Sequence, residues 1–216
     1  MINHFIKKNS RLDNYLILYL SFLFFFAVSF LIIKHDVGND STISEWLINY
    51  NGGFTKRGLI GHFAINFAEI LNINLRDSIL SLQILIVLFF YLSVFFYVRN
   101  FALERFYILA LFTPIFLLYP VAEIEVLARK EIFIFILFIL HCSISIKQVH
   151  IFRISKLTIL PLCMLIWEPV IFFILYWFFI DLLVNKIYKN IRKIFEELLY
   201  YIPTIIIALH FIFFPI

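Results

Sequence analysis

Apolar positions along this chain come in long runs rather than in alternating stripes. Tyr15–Ile33, Ser78–Val98, Phe106–Ala122, Ile132–Ile146, Leu157–Leu183 and Leu198–Ile216 are nearly free of charge. A helix needs about 20 such residues to cross a bilayer, so the pattern predicts an all-α polytopic membrane helix bundle with about five to seven membrane segments. No internal repeat or low-complexity linker divides it, which predicts a single integral membrane domain over 1–216. The last run is still open at Ile216, the pattern of a piece of a longer protein.

Two stretches depart from simple spans. The run Leu157–Leu183 is broken at "IWEPV" by Glu168-Pro169. Proline removes a helical hydrogen bond and pushes its predecessor out of the helical region. The half before the break, Leu157–Trp167, is about 16 Å long as a helix and reaches only halfway across a core of about 30 Å. The expected form is a re-entrant pair of half-helices with Glu168 near mid-depth, a single kinked span being the alternative. The other departure is the connection 34–77. Within it Leu59, Phe63, Phe67 and Ile70 recur at helical spacing, with His62, Asn66 and Glu69 on another face. This predicts an amphipathic helix of about four turns lying on the outer membrane surface.

Composition agrees with a lipid solvent. The chain is 63% hydrophobic and 15% charged, with 29 Phe and 5 Gly, too few polar groups to cover a soluble globule. The net charge of +4 does not point to nucleic acid, because the basic residues sit in short clusters between apolar runs, as topology signals do. Lys7, Lys8 and Arg11 place the amino terminus in the cytoplasm. Segment 34–77 then faces out, Arg99 and Arg105 in, 123–131 out, and Lys147, Arg153 and Lys156 in. With its Phe, Ile, Lys, Asn and Tyr usage, typical of an AT-rich genome, the chain is expected in a bacterial cytoplasmic membrane. Cys142 and Cys163 lie inside apolar runs, without CxxC or metal spacing, and read as small buried side chains. No nucleotide-binding or metal motif appears, so no cofactor is expected and a soluble nucleotide-sugar donor has no support.

Candidate chemistry lies where charge interrupts the apolar pattern. The outer connection holds Asp36, Asp40 and Glu45, with Ser41 or Ser44 placed to cap a short helix carrying Glu45 and Trp46. "NYNGGFTKRGLIGH" follows. Gly52 and Gly53 permit a turn, and Lys56 and Arg57 lie just beyond it; exposed amides with two cations suit a phosphate or pyrophosphate. A solvated loop whose cations touch lipid headgroups is the plainer alternative. In "PVAEIEVLARKEIF", Arg129 and Lys130 sit on the side where cations are disfavoured. They read either as partners of Glu123, Glu125 and Glu131 or as an anion clamp. Glu168 is an acid in an apolar run, a functional candidate in its own right, whereas Asp181 reads as a residue near the inner interface. On this topology the 34–77 loop, the "ARKE" corner and Glu168 would share one outward cavity.

Together, "NYNGGFTKRGLIG", "ARKE" at the head of a span and the "WEP" break resemble a pattern in bacterial surface-polysaccharide assembly proteins. The likeness is to O-antigen-polymerase-type proteins and the wider GT-C glycosyltransferase superfamily, over about a fifth of the chain. Where that pattern has Gly, Asp and His, this chain has Ala128, Glu131 and Trp167. The resemblance implies chemistry at the outer membrane face on a polyprenyl-phosphate-linked sugar, with an acid of the first outer loop as base. Asp40 or Glu45 would then deprotonate the acceptor, and Glu168 would orient it or act as base instead. Lys56, Arg57, Arg129 and Lys130 would hold phosphate, and Trp46 or Tyr50 would stack on a sugar. The expected partners are membrane lipid and a polyprenyl-phosphate-linked glycan, and no nucleic acid. A transporter or flippase of a lipid-linked or anionic solute, and a non-catalytic subunit paired with another membrane protein, are the competing readings.

Overall fold

The computed structural model describes residues 10–37, 41–99, 105–112, 117, 121, 123–145, 149–184 and 187–213. Among these residues the fold is all helical, with no strand. The helices are α1 (Ser10–Val37), α2 (Ser41–Trp46), α3 (Gly58–Leu71), α4 (Leu75–Val98), α5 (Arg105–Leu111), α6 (Glu131–Ser145), α7 (Val149–Ile166), α8 (Val170–Val184), α9 (Ile191–Leu199) and α10 (Ile202–Phe213). Short 3₁₀ turns lie at Ile124–Val126 and Ile187–Lys189. The chain divides into two compact units, one formed by Met1–Glu45 with Phe67–Ile132, the other by Trp46–Asn66 with Phe133–Ile216.

In the first unit α1 and α4 pack side by side. Leu16, Leu20, Leu23, Ala27 and Leu31 are buried at spacings of three and four residues along α1, and Ile79, Gln83, Val87, Tyr91 and Val94 do the same on α4. The Arg76 guanidinium donates to the His35 carbonyl at 2.6 Å, so the end of α1 meets the start of α4 and the two run antiparallel. Their outer faces carry Leu18, Phe22 and Phe25, and Phe89 and Phe96, all exposed. Apolar faces of this size belong in lipid. The spans Asp13–Val37 and Leu75–Val98 are long and apolar enough to cross a bilayer, which makes this a membrane protein.

The expected five to seven membrane segments are corrected downward. Among the described residues, two helices qualify by length and composition, and α9 with α10, bent by 55°, brings the number to at most three. Among the described residues the other apolar runs do not form a helix that qualifies as a span. Helix α5 has 7 residues, and α6 and α8 have 15 each, or about 22 Å against the 30 Å of a hydrocarbon core. Helix α7 begins at Val149 rather than Leu157, so Arg153 and Lys156 belong to a helix and not to a connection.

In the second unit the chain doubles back at Trp167–Pro169. Lys156 Nζ and Asp181 Oδ2 are 2.7 Å apart, whereas 25 residues of continuous helix would separate them by about 37 Å. The reversed pair α7–α8 packs with α10 and α6 around Ile134, Leu160, Met164, Ile174 and Phe211.

Helix α3 forms where the 3.6-residue pattern predicted it. Its inward face is made of Ile60, Gly61, Ala64 and Ala68, and Phe63 and Ile70 point away from the protein. Gly61 lets the helix lie against backbone, because a side chain there would run into the carbonyl oxygens of Trp46 and Ile48. Backbone cannot swing aside as a side chain can. Gly61→Ala is therefore expected to destabilise the fold by about 1–3 kcal/mol, read as a lower melting temperature in detergent.

Candidate functional site

The loop before α3 is held by its own polar side chains. Asn49 Oδ1 accepts from the Asn51 amide at 2.9 Å, and Asn49 Nδ2 donates to the Leu47 carbonyl at 2.8 Å. The Gly53 amide donates to the Tyr50 carbonyl at 3.0 Å, closing a tight turn, and the Thr55 hydroxyl donates to the Asn49 carbonyl at 3.2 Å. Of the two glycines it is Gly53, at φ +120°, that the turn requires. A side chain at Gly52 would meet open space.

The loop ends in a second left-handed residue, Arg57 at φ +62°, immediately before α3. A non-glycine residue held there is strained. The strain aims the guanidinium at the α7–α8 break, where Arg57 Nε donates to Glu168 Oε2. Two motifs 111 residues apart in sequence thus meet in the second unit. Lys56, half-buried beside them, makes no ion pair among the described residues.

Under the turn, the Tyr50 ring stacks on Phe54 with centroids 5.5 Å apart and lies 5.9 Å from the His62 imidazole. The Tyr50 hydroxyl and His62 Nδ1 are both buried without a hydrogen-bond partner among the described residues. Burial pushes the Tyr50 phenol above its ordinary range, so it remains a neutral donor. The positive end of the 14-residue helix α3 follows directly after Arg57. The result is a cation-rich cradle with a carboxylate at its edge. His62, read from sequence as one polar position on an amphipathic helix, belongs to it.

The first unit holds a separate charged corner. Arg129 Nη2 donates to Glu45 Oε1 at 2.9 Å and lies 3.3 Å from Glu131 Oε1, while Lys34 reaches Glu125 at 3.5 Å. Lys130 is fully buried. The corner turns at Ala128, which has φ +56°. An alanine side chain is strained in a conformation glycine adopts freely. Ala128→Gly should accordingly stabilise the protein by about 1 kcal/mol, seen as a higher melting temperature with unchanged helix content.

The candidate residues thus fall on both units. Lys56, Arg57, Tyr50, Gly52, Gly53 and Glu168 belong to the second, and Glu45, Arg129 and Lys130 to the first. Asp40 lies outside the described residues. Trp46 closes α2, the short helix expected after Ser41, but its ring is fully buried and packs 6.0 Å from Phe133. It serves the interior rather than presenting a face to a sugar.

Sequence reasoning missed a second group of buried charges. Lys156 Nζ donates to Asp181 Oδ2 at 2.7 Å and also to Glu197 Oε1. Asp181 accepts from the Tyr201 hydroxyl at 2.6 Å, and its other oxygen lies 3.1 Å from His141 Nε2. Arg153 Nη2 stands 3.5 Å from Glu197 Oε2. Lys156, Asp181 and Glu197 are each 2% exposed or less. Lys156 is therefore a buried counter-ion, and Asp181 is buried inside the protein. One signal was available: Lys156 and Asp181 stand nearly equidistant from Glu168, so a reversal there pairs them.

Among the described residues no group of three or more His, Cys, Asp or Glu is placed to hold a metal ion. No family model, curated protein or solved structure matches this chain.

Proposed function

We propose that the chain is a glycan-assembly protein of a bacterial cytoplasmic membrane. It acts at the outer face on a polyprenyl-phosphate-linked sugar, by glycosyl transfer or polymerisation. In this reading the amino terminus is cytoplasmic and segment 34–77 lies outside. The α7–α8 hairpin is re-entrant from that side, and α3 rests on the membrane surface with Phe63 and Ile70 in lipid. The observation that carries the reading is the contact of Arg57 with Glu168, next to Lys56, which makes no ion pair among the described residues.

A cation held by an acid is a resting arrangement that a phosphate can displace. An incoming lipid phosphate takes Arg57 and Lys56, helped by the positive end of α3. Glu168 is thereby released and accepts the proton of the acceptor hydroxyl as that oxygen attacks the anomeric carbon. The bond from that carbon to the phosphate oxygen breaks, and the polyprenyl phosphate leaves with its new charge held by the cations. The unpartnered Tyr50 hydroxyl and His62 Nδ1 are available to sugar hydroxyls. Glu45 with Arg129, and Asp40 nearby in sequence, are the alternative base and clamp.

The test is the purified chain in lipid vesicles supplied with polyprenyl-phosphate-linked oligosaccharide. A longer lipid-linked glycan supports the proposal. Movement of the lipid-linked substrate across the bilayer with no covalent product would replace it with a transporter or flippase, a reading favoured by the buried Lys156–Asp181–Glu197 charges. Neither activity would leave a non-catalytic subunit.

A further inference from the structure

Helix α9 sorts its side chains by face. Asn190 starts it, its side-chain oxygen accepting from the Arg192 amide at 3.0 Å. From there Ile191, Phe195, Leu198 and Leu199 recur at helical spacing and are all exposed. Arg192, Lys193 and Glu196 lie away from that stripe, also exposed, and Glu197 turns inward to Lys156. The helix thus has one edge in the protein, one apolar face and one charged face, and the last two are open. The apolar stripe does not end with the helix. It continues at spacings of three and four residues on α10 in Ile202, Ile206 and Leu209, all exposed.

The bend between the two helices decides how this stripe meets lipid. As parts of one span, α9 and α10 would carry Arg192, whose side chain is 87% exposed, and Lys193 into hydrocarbon, where a charge facing lipid is costly. Lying in the membrane plane, α9 keeps its charges at the headgroups and buries only its apolar face. The bend fits that placement. With α9 in the plane and the 55° bend directed into the bilayer, α10 stands about 35° from the membrane normal (90° less the bend), within the usual tilts of up to about 40°. Charge then selects the lipid. Lys189, Arg192 and Lys193 are exposed within one short stretch, against one exposed acid of α9, Glu196, which holds Arg192 at 3.2 Å. Lys189 and Lys193 make no ion pair among the described residues. Tyr188, exposed just ahead of them, has the amphipathic ring that favours headgroup depth.

We infer that α9 is an in-plane membrane anchor whose cations bind anionic lipid headgroups. Ile191, Phe195 and Leu199 enter the boundary between headgroups and acyl chains, and Lys189, Arg192 and Lys193 meet lipid phosphates at its edge. The occupant is lipid rather than a second copy or another protein, because the stripe passes unbroken onto the outer face of α10 and is edged by cations in excess of their acids. The inference is independent of the glycan reading, since no residue of the Arg57–Glu168 cradle takes part.

The test uses the full chain carrying Cys142→Ser and Cys163→Ala, in nanodiscs of phosphatidylcholine with a minority of phosphatidylglycerol. A bimane fluorophore is attached at Phe195→Cys, at Glu196→Cys or, on the exposed face of α1, at Phe25→Cys. Lipids brominated on their acyl chains quench a label in the membrane interior, and iodide quenches one in water. Phe195→Cys should be quenched by brominated lipid and Glu196→Cys by iodide. At equal mole fraction, brominated phosphatidylglycerol should quench Phe195→Cys at least about twofold more than brominated phosphatidylcholine, and the two should quench Phe25→Cys alike. Lys189→Gln, Arg192→Gln and Lys193→Gln together should remove the excess, as should high salt. These side chains are all exposed, so the variants should keep the helix content of the parent, which circular dichroism checks. Quenching of both α9 labels by brominated lipid would make α9 part of a span and overturn the in-plane anchor. No quenching of Phe195→Cys by either lipid would mean that protein covers the face. Equal quenching by the two lipids there, or an excess that survives the triple variant, would overturn the anionic-lipid site.

Discussion

Arg57→Ala should lower kcat/KM for the lipid-linked substrate by about 10²–10³, the usual loss when one pre-placed donor to a developing charge is removed. Glu168→Gln should cost about 10²–10⁴, because the amide keeps the shape of the carboxyl but cannot accept the acceptor's proton. The double variant should be little worse than the poorer single one, since both act on one step. Arg57→Lys should recover only part of the rate, as an ammonium lacks the planar fork that grips phosphate at two points. Protein abundance should barely change. The Arg57 and Glu168 side chains are 33% and 27% exposed, and pairs open to solvent contribute about 0–1 kcal/mol to stability. Glycan formation in vesicles, normalised to protein level, reads all of these. Wild-type rates in both single variants would remove the pair from the mechanism.

Lys156→Met should be strongly destabilising. It strands Asp181 and Glu197, both about 2% exposed or less, without their shared counter-ion, at a cost of about 3–5 kcal/mol. Lys34→Met, by contrast, breaks a 3.5 Å contact to a Glu125 side chain that is 61% exposed, and should cost less than about 1 kcal/mol. Combining Lys156→Met with Asp181→Asn and Glu197→Gln should restore much of the loss, because the unpaired charges go with the cation. Unfolding in detergent, followed by circular dichroism, measures the series. A Lys156→Met protein that melts with the wild type would mean that the two carboxylates find other partners.

These expectations depend on different amounts of tertiary information. Much was legible in the sequence because it depends on near neighbours along the chain. Lipid as solvent follows from composition, α1 and α4 from unbroken apolar length, and α3 from a 3.6-residue period. The chain break follows from Glu168-Pro169, whose geometry is set by covalent sterics. Arg57 and Glu168 were recognisable singly, as charges out of place. Length alone misled where apolar runs are interrupted. Phe106–Ala122 has the composition of a span, but its helix α5 stops at Leu111, and hydropathy does not record where a helix stops.

What only the tertiary structure decided is pairing. That Arg57 meets Glu168, and Arg129 meets Glu45, depends on backbone placed by distant segments and by left-handed residues at Arg57 and Ala128. The Lys156–Asp181–Glu197 cluster draws on α7, α8 and α9, with His141 added from α6. In sequence each of those charges looks like a flank of an apolar run, where water would be its partner. Folding removes that water, and a charge in a low-dielectric interior is tolerated only beside its opposite. The partner is therefore chosen by three-dimensional packing, which no local pattern of residues encodes.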